Sequence, residues 1–150
     1  MTDHDLPNRF GLRFHHLGLA VRAADTAQAF LGVLGYRFGT AVHDPLQNVN
    51  LMMCHHTQQP DVEIIWPAEG AGPIDRLLAQ HREGLVYHIC YETDDLAASI
   101  AALEDDDDFR VMFLSEPKPA TLFPGEHVVF AMVAGMGLIE LVSKGGFRSR

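Results

Sequence analysis

The sequence predicts an α+β protein in which one order of elements, a strand, a helix and three strands, occurs twice. Three observations predict it. Two strand-like runs each hold a histidine in mid-strand: Phe14-His15-His16-Leu17-Gly18-Leu19-Ala20-Val21, and Gly84-Leu85-Val86-Tyr87-His88-Ile89-Cys90-Tyr91-Glu92. Each is followed by an alanine-rich stretch with helical periodicity. Each half then ends on an apolar run interrupted by one glutamate, Asp61-Val62-Glu63-Ile64-Ile65-Trp66 and Gly137-Leu138-Ile139-Glu140-Leu141-Val142.

Residues 1–12 are polar, contain Pro7 and Gly11, and are expected to form a flexible N-terminal arm. The first module spans 13–66. In its opening strand Leu17, Leu19 and Val21 share one face, and Phe14, His16, Gly18 and Ala20 the other. His16 therefore points away from the face that packs on a helix. Ala23 to Leu34 carries Ala27, Phe30, Leu31 and Leu34 at helical spacing, with Gly35 placed to stop it. Tyr36 to Val42 and Asn48 to Cys54 read as strands separated by a turn at His43-Asp44-Pro45-Leu46-Gln47. In Asp61 to Trp66, Val62, Ile64 and Trp66 alternate with Glu63 and Ile65, so Glu63 faces away from the large apolar side chains.

A Pro/Gly-rich boundary and a helix over Pro73 to Arg82 make up a linker, 67–84, with Gly84 just past the helix end. The second module spans 85–143. After the strand of His88, Asp94 is a candidate N-cap for a helix through Ala98, Ile100 and Leu103. The acidic run Glu104 to Asp108 would oppose the helix dipole if helical and is expected to be a solvated loop, without the ligand and glycine spacing of a calcium loop. Phe109 to Leu114 is a strand, Ser115 to Gly125 a loop, and Glu126 to Val133 a strand. Gly135 and Gly137 then turn the chain into the last strand. A basic tail, 144–150, follows.

The 150 residues, 47% hydrophobic, suffice for one compact core. A formal net charge of −9 provides no basic field for a phosphate backbone, so nucleic acid is not an expected partner. No apolar run reaches the roughly 18 residues of a membrane span, and the polar start has no signal-peptide core. A cytoplasmic protein without membrane attachment is the expectation. Cys54 and Cys90 lack CxxC spacing and read as buried thiols. Neighbours on a strand alternate faces, so neither His15-His16 nor His55-His56 can point inward as a pair.

His16 and Glu63 are 47 residues apart, His88 and Glu140 52. Aligning the halves on their histidines also aligns Leu31 with Leu103, and five additional residues fall in second-half loops. Duplicated modules commonly pack about a pseudo-twofold axis, which would direct four side chains from four strands to one point. Two imidazoles and two carboxylates form a mixed N/O set suited to Co²⁺, Ni²⁺, Mn²⁺, Fe²⁺ or Zn²⁺. Six-coordination would leave two adjacent positions for water or substrate. Taken singly, each histidine could be a hydrogen-bonded strand residue and each glutamate an edge carboxylate; the repetition of the pattern favours one metal site.

At these residues the chain resembles the vicinal oxygen chelate superfamily, which comprises glyoxalase I, methylmalonyl-CoA epimerase, extradiol dioxygenases and bleomycin-resistance proteins. His16-Leu-Gly-Leu-Ala-Val, Val62-Glu63-Ile-Ile-Trp-Pro67, Tyr87-His88-Ile-Cys-Tyr-Glu-Thr-Asp-Asp and Leu138-Ile-Glu140-Leu-Val resemble the four ligand strands of its epimerase branch, and Ser115-Glu-Pro-Lys118 the loop before the last hairpin. The resemblance covers about residues 14 to 143 and implies two tandem βαβββ modules forming a cupped mixed sheet, the glyoxalase-like fold. It implies His16, Glu63, His88 and Glu140 as ligands of one divalent metal ion. The implied chemistry is removal of a proton next to a carbonyl through a metal-stabilised enolate or enediolate, with Glu140 the first candidate base and Glu63 the second. The implied substrate is a small molecule with two neighbouring oxygens, such as a CoA thioester, and homodimers are common in the superfamily. The sequence departs from the epimerases at Leu46-Gln47-Asn48, where they carry a glutamate before Gln-Gly. His43, Asp44, Glu126 and His127 are candidates to replace that acid/base.

An isomerase, epimerase or lyase is thus the first functional reading. A metal-free binding module, such as a drug-sequestering resistance protein, is the second, against which the four ligand types argue. An extradiol-type dioxygenase is third, because two histidines and one carboxylate suffice there and Glu63 would occupy a position that chemistry needs open.

Overall fold

The structure, a computed structural model, describes residues 8–145. In chain order the elements are β1 (Arg13–Ala20), α1 (Asp25–Val33), β2 (Arg37–Phe38), β3 (Val42–Asp44), β4 (Val49–His55), β5 (Val62–Pro67), α2 (Asp75–Gln80), β6 (Leu85–Thr93), α3 (Leu96–Glu104), β7 (Val111–Phe113), β8 (Lys118–Pro119), β9 (His127–Val133) and β10 (Gly137–Ser143). The chain divides into two compact units: an early unit, 16–88, and a late unit, 89–145 with 8–15. The division passes through β1 and β6. None of the helices among the described residues is long and apolar enough to cross a membrane.

In the early unit β1 pairs in parallel with β5, β5 antiparallel with β4, and both β2 and β3 antiparallel with β4. The alternation read from sequence decides which face is covered. Val21, Tyr36, Val62 and Ile64 pack together with Leu19, Ala27, Leu31 and Trp66, seating α1 on one side of the sheet. Full burial of side chains such as Ile64 contributes about 1.5–3 kcal/mol each. Phe30 and Leu34, which share the helical spacing, remain 64% and 42% exposed, so the covered stripe is narrower than the periodicity suggests.

The first expected mid-module strand is broken. Arg37–Phe38 and Val42–Asp44 pair with opposite ends of β4, with Gly39 bonded to the Met53 carbonyl between them. His43 and Asp44 therefore belong to a strand rather than a turn, and the turn occupies 45–48, where Asn48 takes a positive φ of 50°. Gly84 is required twice over. Its φ is +85°, and a Cβ there would lie 2.7 Å from the Ala20 carbonyl oxygen.

The late unit repeats the plan. β6 and β10 are parallel, β9 is antiparallel to β10, and β7 and β8 both pair with β9. Leu96 and Leu103 of α3 pack on Val129, Ala131, Ile139 and Leu141. Asp95 caps α3, accepting a hydrogen bond from the Ala98 amide at 3.0 Å. Asp94, the expected cap, sits one residue too early and pairs with Arg13 instead, at 2.8 Å.

The expected loose arm is tied down from Asn8 onward. The Asn8 side-chain oxygen accepts from the Phe10 and Leu12 amides, and Arg9 reaches Asp106 and Asp108 at 2.9 and 3.0 Å. Part of the acidic run therefore anchors this segment as well as facing water. Phe10 and Leu12 join the α3 core and border an apolar cavity of about 260 Å³ that also touches Leu103, Tyr91 and Met136. The expectations for 1–7 and 146–150 lie outside the described residues.

Candidate metal centre

β1 projects His16 away from the α1 core, as the alternation requires, and the imidazole is wholly buried. Two residues on, Gly18 is the register partner of Glu63 on the parallel strand β5, so His16, Gly18 and Glu63 share a face. His16 Nε2 and Glu63 Oε2 are 3.8 Å apart. That exceeds a hydrogen bond and falls within the separation of about 3–4 Å expected for two donors at roughly 2.1 Å from one ion.

His88, from the first half of β6, lies in the same unit. Its ring centroid is 5.6 Å from that of His16, at an interplanar angle of 77°. Burial pushes its pKa down to about 3, which keeps the imidazole neutral and available as a donor. The ring fits only because residue 18 has no side chain. A Cβ built on Gly18 would lie 2.1 Å from His88 Cε1 and 2.4 Å from Nδ1. Gly18 is the site residue that the sequence reading missed. Its signal was a glycine inside a strand, which marks close approach by another group.

Glu63 is flanked on its other side by Met53, its partner on β4, and both are nearly buried. His16 thus stands next to both Glu63 and His88, and the donor chemistry of these groups fits a divalent transition ion. Glu140 belongs to the late unit, where it is 5% exposed on β10. It pairs with Cys90 on β6 and Phe130 on β9. Its register repeats that of Glu63: the residue two places after each histidine, Gly18 or Cys90, lies opposite a glutamate.

The residues considered as substitutes for the carboxylate missing at Leu46 mostly have structural work. Asp44 accepts from the Leu46 amide at 2.9 Å and from Gln47 Nε2 at 3.2 Å, which shapes its own turn. His43 contacts Asn48 Oδ1 at 3.2 Å. Glu126 accepts from Ser143 Oγ at 2.6 Å and the Gly145 amide at 3.0 Å. The His127 amide donates to the same Ser143 oxygen. Leu46 itself is 56% exposed. Cys54 and Cys90 are buried and neither forms a disulfide, as expected.

Comparison with known proteins places these features in context. Residues 15–130 match the family described as Glyoxalase/Bleomycin resistance protein/Dioxygenase superfamily. The mitochondrial methylmalonyl-CoA epimerase of Bos taurus is 26% identical over 132 residues, covering 86% of this chain and 73% of the relative. An ethylmalonyl-CoA/methylmalonyl-CoA epimerase of Cereibacter sphaeroides is 28% identical over 107 residues, 71% of this chain and 78% of the relative. Among solved structures, a methylmalonyl-CoA epimerase of Streptomyces coelicolor in complex with 2-nitronate-propionyl-CoA superposes with a TM-score of 0.69 at 23% identity, over 92% of this chain and 98% of its own. At that identity the likeness shows the fold.

Proposed function

We propose that this chain, which belongs to the Glyoxalase/Bleomycin resistance protein/Dioxygenase superfamily, is a metal-dependent epimerase or isomerase that moves a proton on the carbon next to a carbonyl. His16, Glu63, His88 and Glu140 hold the ion in this reading. The observation that carries it is His16 placed next to both Glu63 and a neutral His88, with Gly18 cleared to admit the ring. Epimerase relatives support the reaction class. A drug-sequestering role has no need of this donor set.

A divalent ion bound there would supply Lewis-acid stabilisation of the negative charge that develops on a carbonyl oxygen as the neighbouring carbon loses its proton. The chain supplies the rest. Burial of the histidines and of Glu63 excludes water and strengthens every charge interaction around them. The His88 imidazole stays neutral, so that it could donate to the ion. Glu140 takes the proton from carbon and Glu63 is the second candidate base. With leucine at position 46, no second carboxylate is assigned to the opposite face. The substrate class is a thioester or α-keto compound with neighbouring oxygens; the S. coelicolor relative, held with a propionyl-CoA nitronate, favours a CoA thioester.

Metal analysis of purified protein tests this. About one divalent ion per chain is expected, lost in His88→Ala and reduced in Glu63→Gln. Metal-loaded protein should exchange the α-proton of an acyl-CoA for solvent deuterium, and Glu140→Gln should abolish that exchange. No retention of cobalt, nickel, manganese, iron or zinc would overturn the reading.

A further inference from the structure

The late-unit sheet has two unlike faces. Ile139, Leu141, Val129 and Ala131 point into the α3 core, so the alternate residues of the same strands point to the opposite side, the side of Glu140. Register pairs identify them. Met112 on β7 lies opposite Met132 on β9, and Met132 lies opposite Leu138 on β10. The next row brings Phe130 against Glu140, with Leu114 bonded by its amide to the Phe130 carbonyl.

An apolar strip therefore runs across three strands beside the carboxylate. Met112 is 63% exposed, Leu114 52% and Met132 40%. Leu138 is two residues from Glu140 on one strand face, a spacing of about 7 Å. That equals the reach of an acyl chain of a few carbons whose carbonyl end lies at the carboxylate. Methionine side chains, flexible and polarisable, accommodate varied apolar shapes.

Resting on the metal-site reading above, we propose that Met112, Leu114, Met132 and Leu138 form the surface on which the apolar acyl group of a thioester substrate lies. The chain then prefers branched, longer or aromatic acyl groups over acetyl-sized ones. Continuity with Glu140 is what assigns the strip to substrate and not to a second copy of the chain.

The test uses the full chain loaded with Zn²⁺ and labelled with [methyl-¹³C]methionine, titrated with acetyl-CoA, isovaleryl-CoA and phenylacetyl-CoA. The Met112 and Met132 methyl signals should shift saturably with the two larger thioesters and far less with acetyl-CoA. Met136, which borders the cavity on the α3 side, should stay still. Met132→Ser should weaken binding of the larger thioesters about tenfold and that of acetyl-CoA far less. Equal responses to all three thioesters, no saturable shift with any, or methyl shifts that follow protein concentration alone, as for a chain–chain interface, would each overturn the inference. Metal content and α-deuterium exchange are read separately, so failure of the metal site is told apart from failure of the acyl surface.

Discussion

The early and late units carry the same ligand register on unlike surroundings. In the early unit Gly18 faces Glu63, and Met53, almost wholly buried, lies on the other side. In the late unit the repeat-equivalent positions are Cys90 facing Glu140, with Phe130 on the other side and exposed methionines in the next row. The helices differ too, since α3 buries Leu96, Ser99 and Leu103 and has a side-chain cap, whereas α1 has neither a fully buried residue nor such a cap. Duplication has kept the residue two places after each histidine opposite a glutamate. The neighbours of that pair have diverged, toward a closed packing around one carboxylate and an open apolar strip beside the other.

The sharpest way to break the comparison is at the repeat-equivalent pair Gly18 and Cys90. Gly18→Ala should displace the His88 ring, costing about 1–3 kcal/mol of stability by overpacking and most of the bound metal, as read by denaturant unfolding and metal analysis. Cys90→Ala should keep the metal. Equal losses in the two variants would remove the asymmetry claimed for the units.

Next in size, Glu63→Gln and Glu140→Gln should each weaken metal affinity by more than the roughly 10–100-fold that loss of a supporting group costs. A competitive chelator titration measures this. If only Glu63→Gln has an effect, the late unit contributes no ligand and the symmetry of the register is a relic.

The early-unit core offers a pH test. Burial pushes the Cys54 thiol up to about 11 from a model-compound value of 9.0. The unfolded chain ionises first, so this contribution to stability is complete below pH 9 and is lost as pH rises toward 11. The slope is about 1.4 kcal/mol per pH unit. Urea melts between pH 8 and 11 should show it in the wild-type chain and not in Cys54→Ala. The smallest expected effect is in the late unit: Asp95→Ala should cost about 1 kcal/mol through loss of the α3 cap, and Asp94→Ala less, since its exposed pair with Arg13 is screened by water. Equal costs would mean that Asp94 supports the helix start after all.

Much of this could be read in advance, and the reasons are local. Alternation in β1, β5, β6 and β10 depends only on the period of a strand, so the outward faces of His16, Glu63, His88 and Glu140 were legible residue by residue. Gly35 and Gly84 announced helix ends because few other residues adopt their backbone angles. The misreadings arose where two local solutions compete. Asp94 and Asp95 are both good caps, and the choice fell to Arg13, distant in sequence, which draws Asp94 away. Polar residues 8–12 looked like a loose arm because Asp106 and Asp108, which hold Arg9, lie about a hundred residues downstream.

By itself, then, the sequence determined the repeated strand–helix–strand order, the face each candidate ligand occupies and the chemical character of the donor set, because these follow from side-chain period and type. Only the tertiary structure decided that Gly18 stands opposite Glu63, that its missing side chain admits the His88 ring, and that Met112, Met132 and Leu138 line up in one row beside Glu140. Those facts depend on strand register and on close approach between segments far apart along the chain, and both are set by how the packed faces meet.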